Sequence, residues 1–218
     1  GKDTVDIAFN ITESKVVRIN EIRITGNSRT NEKVVRRELT ILPGDIFNQS
    51  QIERSMQEVW MLNYFANVIP DVKFIQGNDD FVDLEFAVEE KSTDQANASI
   101  GYSAYEGPVG NLGFSFTNFS IRRPFQIGDG QRLSLQWYFG KYYKSYSLSF
   151  TEPWLFDTPT LGGFSLFNKQ SGGGNLYNLE IREKGGSITL GREFKWPDPF
   201  FRAQWTIRYA KVDVDMDE

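Results

Sequence analysis

From residue 98 to residue 209 the chain keeps returning to one pattern, in which apolar side chains alternate with polar or very small ones. Ala98, Ile100, Tyr102 and Ala104 begin it, Leu112, Phe114 and Phe116 continue it, and Leu133, Leu135, Trp137 and Phe139 form its third segment. Tyr146, Leu148 and Phe150 follow, then Phe164 and Leu166, then Ile188, Leu190 and Phe194, and finally Ala203, Trp205, Ile207 and Tyr209. The intervening positions carry Ser99, Gly101, Ser115, Thr117, Ser134, Gln136, Ser147, Ser149, Thr189, Gln204, Thr206 and Arg208. A period of two belongs to the strand, whose successive side chains leave opposite faces. Seven antiparallel strands are therefore expected, with one face wholly apolar and the other wholly polar.

Two architectures use such a sheet. A soluble sandwich turns the apolar face inward, whereas a membrane barrel turns it to lipid and lines a wet interior with the polar one. Three features favour the barrel. Segments of roughly 8 to 10 residues suit tilted strands that cross a bilayer. Aromatic residues gather at segment ends, with Trp137, Tyr138, Phe139, Tyr142 and Tyr143 at one level and Trp154, Phe156, Trp196, Phe200 and Phe201 at the other, as interfacial girdles do. The second, fourth and sixth connections (121–130, 152–160 and 197–200) are compact and rich in Pro and Gly, while the fifth, 169–186, reads as one long polar loop.

Composition narrows the chemistry. The chain has neither Cys nor His, which removes thiol nucleophiles, disulfides, the usual zinc ligands and the commonest general base. No metal or other cofactor is expected, and the reading is not that of an enzyme. A formal net charge of -5 provides no basic field for nucleic acid, which is not expected as a partner.

The first hundred residues follow a different grammar. VDIAFNITE at 5–13 and VDLEFAVEE at 82–90 share a strand pattern, V-D-[IL]-x-F-x-[IV]-x-E, at a separation of 77 residues. Residues 1–14 then read as the last strand of one repeat, 15–92 as a complete second copy, and 95–218 as the strand region. Within the complete copy a strand over 16–27 stops at Gly26-Asn27, and a short helix begins at Thr30 and ends before Pro43-Gly44. A second helix opens with the capping-box pair Ser50 and Glu53 and presents Ile52, Met56, Val59 and Trp60 on one buried face. Strands at 66–76 and 81–90 complete a strand, helix, helix, strand, strand order.

RINEIRITGNSRTNEKVVRREL, the PGDIFN turn and IERSMQEVWMLNYFANV resemble a POTRA (polypeptide-transport-associated) domain, and NLGFSFTNF, GDGQRLSLQ and SLSFTEPWLFD resemble the opening strands of the BamA-type outer-membrane assembly barrel. The resemblance implies an α+β POTRA domain followed by part of a sixteen-stranded antiparallel transmembrane barrel in a bacterial outer membrane, with the POTRA region in the periplasm. The chain is then expected to be a portion of a larger protein, and the family's Arg-Gly-Phe loop would lie outside it. The implied function is folding and insertion of β-barrel proteins without ATP, with unfolded outer-membrane proteins as clients, accessory outer-membrane lipoproteins as partners and the lipid bilayer as surroundings. A secretion or translocation pore of the same superfamily, of two-partner or TamA-like type, is the alternative.

Strand edges carry the site expectations, because unpaired backbone groups template a further strand. Ala98, Ser99, Ile100, Gly101, Tyr102 and Ser103 form a strand of mostly small residues, read either as a lateral gate that pairs with client strands or as an ordinary barrel strand. Pro70 marks 66–76 as a sheet edge, so Val68, Asp71, Val72, Lys73 and Phe74 would guide clients or simply guard that edge. Trp137, Tyr142, Tyr143, Trp154, Phe156 and Trp196 are the expected interfacial aromatics.

Overall fold

The computed structural model describes residues 15–123, 127–172, 179–194, 196 and 201–216. The strand expected at 5–13 and the connection at 197–200 lie outside them. Contacts divide the chain into two compact units, one of Gly1–Gly26 with Val35–Glu89 and the other of Asn27–Val34 with Glu90–Glu218.

In chain order the first elements are β1 (Arg18–Thr25), α1 (Glu32–Arg36), α2 (Gln49–Met61), β2 (Phe65–Ile75) and β3 (Asn78–Glu90), the expected β-α-α-β-β order. The sheet runs β1-β3-β2, with β1 parallel to β3. Ile19 and Ile22 are three residues apart, yet both are buried, because the β1–β3 register shifts between them and returns Ile22 and Ile24 to the core face. Val82, Leu84, Phe86 and Val88 alternate inward from β3, and Ile52 and Val59 of α2 and Phe65 of β2 are buried with them in the core of this unit. Gly26 ends β1 at φ +88, where a Cβ would stand 1.9 Å from the Val88 carbonyl oxygen, so only glycine fits the turn.

Two expectations for α2 need correction. Its cap is Asn48, whose side chain accepts from the Ser50 and Gln51 amides, while Glu53 accepts from Gln49. The carboxamide two residues ahead of Ser50 already satisfies the free amides that a capping box would have taken. Trp60 is 58% exposed rather than buried, and Ser55 takes the inner position, where its hydroxyl accepts the Thr40 amide at 3.0 Å.

The second unit holds β4 (Gln95–Ser103), β5 (Gly107–Phe119), β6 (Gln131–Phe139), β7 (Tyr143–Glu152), β8 (Thr160–Gly172), β9 (Leu179–Glu193) and β10 (Arg202–Met216). They form one antiparallel sheet in strictly sequential order, open among the described residues at β4 and at β10. Strands reach 15 residues, longer than expected, and residues 169–172 and 179–186 of the expected fifth loop are strand: Lys169 pairs with Glu183, and Gly172 with Glu180. Polar composition misled here because these ends are held by ladder bonds and cross-strand ion pairs such as Arg208–Glu183.

Register aligns chemistry across the sheet. Gln95, Ser115, Ser134, Ser149, Ser165, Ser187 and Arg208 form one continuous row, with the Ser165 and Ser187 hydroxyls 2.8 Å apart. The face containing this row is not wholly polar. Phe167 aligns with Ser147 on it, and the Arg208 guanidinium lies 4.5 Å from the centre of its ring.

Candidate functional site

The apolar face of the seven-stranded sheet is uncovered among the described residues. Ile207 is 78% exposed, and Trp205, Tyr209, Ile188 and Leu166 are exposed around it. A patch of this extent requires an apolar environment.

The direction of the apolar band identifies that environment. On β4 the apolar run extends to Tyr102, whereas on β10 it stops at Tyr209. Register carries Tyr209 through Gly186, Leu166, Leu148, Leu135 and Phe114 to Ala96, six residues before Tyr102. Across six strand spacings the boundary therefore drops by about 20 Å over about 29 Å, an obliquity of about 35° to the hydrogen-bond rows. Strands of membrane barrels tilt by 35–45°, so a level bilayer would cut this ladder along such a line. A sandwich core has no reason to slant in that way.

The aromatic residues divide. Trp137 stacks on Tyr146 at 5.9 Å on the apolar face, and Tyr143, Trp196 and Phe156 are exposed. Tyr142 is a correction: it is 8% exposed, with Lys141 Nζ 4.9 Å from its ring centre, so its ring is packed within the protein and does not form a girdle. Trp154 belongs to a built turn. Its amide donates to Glu152 Oε1 at 3.0 Å, Glu152 Oε2 accepts from Gln131 at 2.8 Å, and Leu155 fills the space that a side chain at Gly162 would need. Phe156 and Asp157 both hold positive φ there, a strained backbone that presents Phe156 outward.

The structure places the two expected edges as follows. Ala98, Ser99, Ile100, Gly101, Tyr102 and Ser103 lie on β4, which pairs only with β5 among the described residues. All but Ser103 are exposed, Ile100 to 83%. Neighbouring chain gives this strand little cover on either face. β2 occupies one edge of the three-stranded sheet. Val68 is buried beneath it, Asp71, Lys73 and Phe74 are exposed, Val72 is partly exposed, and Lys73 forms an ion pair with Glu85 on β3. That bond, helped by the Thr25 hydroxyl, holds the Glu85 carboxyl below the usual range.

A polar cluster that sequence reasoning missed joins residues 28–31 to Glu90, Asn118 and Asp129. Glu90 accepts from the Ser28 hydroxyl at 2.8 Å and from the Arg29 and Thr30 amides. Buried Asn118 donates to Thr30 Oγ1 at 2.9 Å and accepts the Gly130 amide, and Asn31 donates to Asp129. Burial pushes the Glu90 carboxyl up, but the Thr30, Ser28 and Arg29 donors outweigh it and hold the carboxyl below its ordinary value. A lowered folded value lends stability that is complete above roughly pH 4.3 and is lost as pH falls through that folded value. Protection of the Arg29 and Thr30 amides, taken relative to their intrinsic exchange rates, is accordingly expected to fall below that pH, and Glu90→Gln to lower it at neutral pH and flatten the acid dependence. An unchanged profile in the variant would remove Glu90 from this role.

Comparison with known proteins agrees with both units. Residues 17–91 match the model of the POTRA family, described as a surface antigen variable number repeat, and residues 126–218 match the Omp85 superfamily domain. The chain is 33% identical over 166 residues to the outer membrane protein assembly factor BamA of Neisseria meningitidis serogroup B, covering 76% of this chain and 20% of that protein. The crystal structure of BamA from Haemophilus ducreyi lacking POTRA domains 1–3 has the same fold, with a TM-score of 0.65 at 20% identity over 93% of this chain and 44% of that one. CdiB from Acinetobacter baumannii shares it at a TM-score of 0.58 and 17% identity, over 91% of this chain and 39% of that one. The chain thus spans between a fifth and about a quarter of the first curated relatives it matches.

Proposed function

The chain belongs to the Omp85 superfamily, as a POTRA domain continuous with part of the superfamily barrel, and from that premise we propose that the intact protein folds and inserts β-barrel proteins into a bacterial outer membrane. Its POTRA region lies in the periplasm and its strands in the membrane. Residues 15–92 and 95–218 divide it into a POTRA domain and the barrel portion. The observation that carries the reading is the run of small side chains at Ala98, Ser99, Gly101 and Ser103 on β4, the strand that directly follows the POTRA domain.

The mechanism is backbone pairing, and no bond is made or broken. A nascent client strand brings donors and acceptors that lipid would leave unsatisfied, at several kcal/mol each. Adding it to β4 from Ala98 to Ser103 satisfies them while the client remains at the membrane boundary. Small side chains at Ala98, Ser99, Gly101 and Ser103 make few sequence-specific contacts, which suits unrelated clients. The β2 edge, with Val68, Asp71, Val72, Lys73 and Phe74, guides clients by the same pairing on the periplasmic side. Accessory lipoproteins complete the assembly.

Proline scanning of 98–103 in the intact protein tests the gate. Proline at positions whose N–H faces the open edge is expected to cut client assembly by about tenfold or more while the protein itself still folds, since only the added strand loses its donor. Proline at the alternate positions, which donate to β5, is expected to impair the protein's own folding. Wild-type assembly by every folded variant would refute the gate. The polar inner face suits a second reading as well, a pore of the same superfamily dedicated to one secreted partner. Depleting the protein separates the two: loss of many unrelated barrels favours assembly, and loss of one secreted protein with barrels intact favours the pore.

A further inference from the structure

Three lysines and an amide line one end of the apolar face of the second unit. Immediately beyond Tyr146, Leu166, Gly186 and Tyr209, the next residue on the same face is Lys144 on β7, Asn168 on β8, Lys184 on β9 and Lys211 on β10. Asn168, Lys184 and Lys211 share one ladder row and Lys144 lies one pair beyond it, so the four positions mark the end of the apolar band on these strands. Lys184 and Lys211 are direct cross-strand partners, and like charges so placed destabilise an antiparallel pair.

The nearby carboxylates relieve only part of this repulsion. Lys211 Nζ lies 2.9 Å from Asp213, and Arg182 is engaged by Glu180 and Asp215. Lys144 and Lys184 have no ion-pair partner among the described residues, and both are exposed. On the apolar side of the row lies a groove of about 500 Å³ lined by Leu112, Phe114, Leu135, Trp137, Tyr146 and Leu166. Asn168 also lines it, so the groove ends at the amide that pairs across the ladder with Lys184.

An apolar channel leading to an amide and uncompensated ammonium groups matches an amphiphile with an anionic head. We propose that Lys144, Lys184 and Lys211, together with Asn168, bind the phosphate group of a membrane lipid whose acyl chain occupies the groove beside Trp137 and Tyr146. Lysine suits these positions because its stem lies along apolar surface while its point charge reaches the headgroup level. The anion also removes the Lys184–Lys211 repulsion, so lipid binding stabilises the outer part of the β9–β10 pair. The site rests on the reading that this face meets lipid, and it is independent of whether the protein assembles barrels or secretes one partner.

The test inserts the intact protein into vesicles of phosphatidylcholine alone or with added phosphatidylglycerol, checks insertion by protease protection, and measures retained lipid by native mass spectrometry. The wild type is expected to retain phosphatidylglycerol preferentially. The K144Q/K184Q/K211Q variant is expected to insert normally and lose that preference by about tenfold or more, and the corresponding triple Lys→Arg variant to keep it. Equal retention by wild type and the Gln variant would overturn the proposal and leave the membrane reading intact. Failure of the wild type to insert into either vesicle would overturn both. Displacement of the lipid by inorganic phosphate in detergent, with no preference among headgroups, would reduce the site to a simple anion site and refute its assignment to lipid.

Discussion

Leu148→Arg is expected to abolish stable insertion, whereas Ser149→Arg, one residue further on, is expected to leave it intact. Leu148 stands between Leu135 and Leu166 in the middle row of the apolar band, with Phe150 and Tyr146 at the neighbouring positions along its face. An arginine there meets lipid near the bilayer midplane, which costs about 2–4 kcal/mol in a barrel strand. Ser149 lies in the serine row on the opposite face, where a wet interior solvates the guanidinium. The measurement is a urea titration of the intact protein folding into vesicles, with both variants compared with wild type. If Ser149→Arg is the damaging substitution and Leu148→Arg is tolerated, the apolar face does not meet lipid and the assignment of the two faces fails.

Phe86→Ala is expected to cost about 3–5 kcal/mol, enough to unfold a small α/β domain at or near body temperature. Phe86 is fully buried on β3, the central strand, in a core shared with Leu84, Val59 and Phe65. Strands on both sides prevent the site from collapsing around the cavity. Phe74→Ala, at a side chain exposed on β2, is expected to shift stability by less than about 0.5 kcal/mol and serves as the control. Urea unfolding followed by tryptophan fluorescence separates the two, because Trp60 reports on this domain. Similar small shifts for both would mean that β3 is not the centre of the core.

Alternation made the seven strands of the second unit legible, because one buried or lipid-facing side per strand leaves a period that composition alone cannot hide. Strand ends were less legible. Residues 169–172 and 179–186 look like loop by polarity, and they are strand because their charges meet partners across the ladder. Tyr142 follows the same logic in reverse: an aromatic residue beside a strand end suggested a girdle, yet its ring is buried. The β4 and β2 edges could be anticipated from small residues and from Pro70, since both are local properties. The cluster around Glu90, Asn118 and Thr30 could not, because Asn118 and Thr30 are 88 residues apart and only the fold brings them together. Phe167 escaped for a related reason, as its cationic partner Arg208 belongs to a strand two places away in the sheet.

The serine row sets the friction of the inner wall. Side chains of one carbon and one oxygen, aligned from Ser115 to Ser187 over five neighbouring strands, form neither ridges to climb nor hollows to fill. Where two of these hydroxyls already satisfy each other, as at Ser165 and Ser187, the wall holds out fewer donors to a passing backbone. A segment sliding over this surface exchanges one layer of water for another of nearly equal free energy. A wall of this kind gives a chain lying against it little to hold, in contrast to the strand edges, where hydrogen bonds can be made and kept.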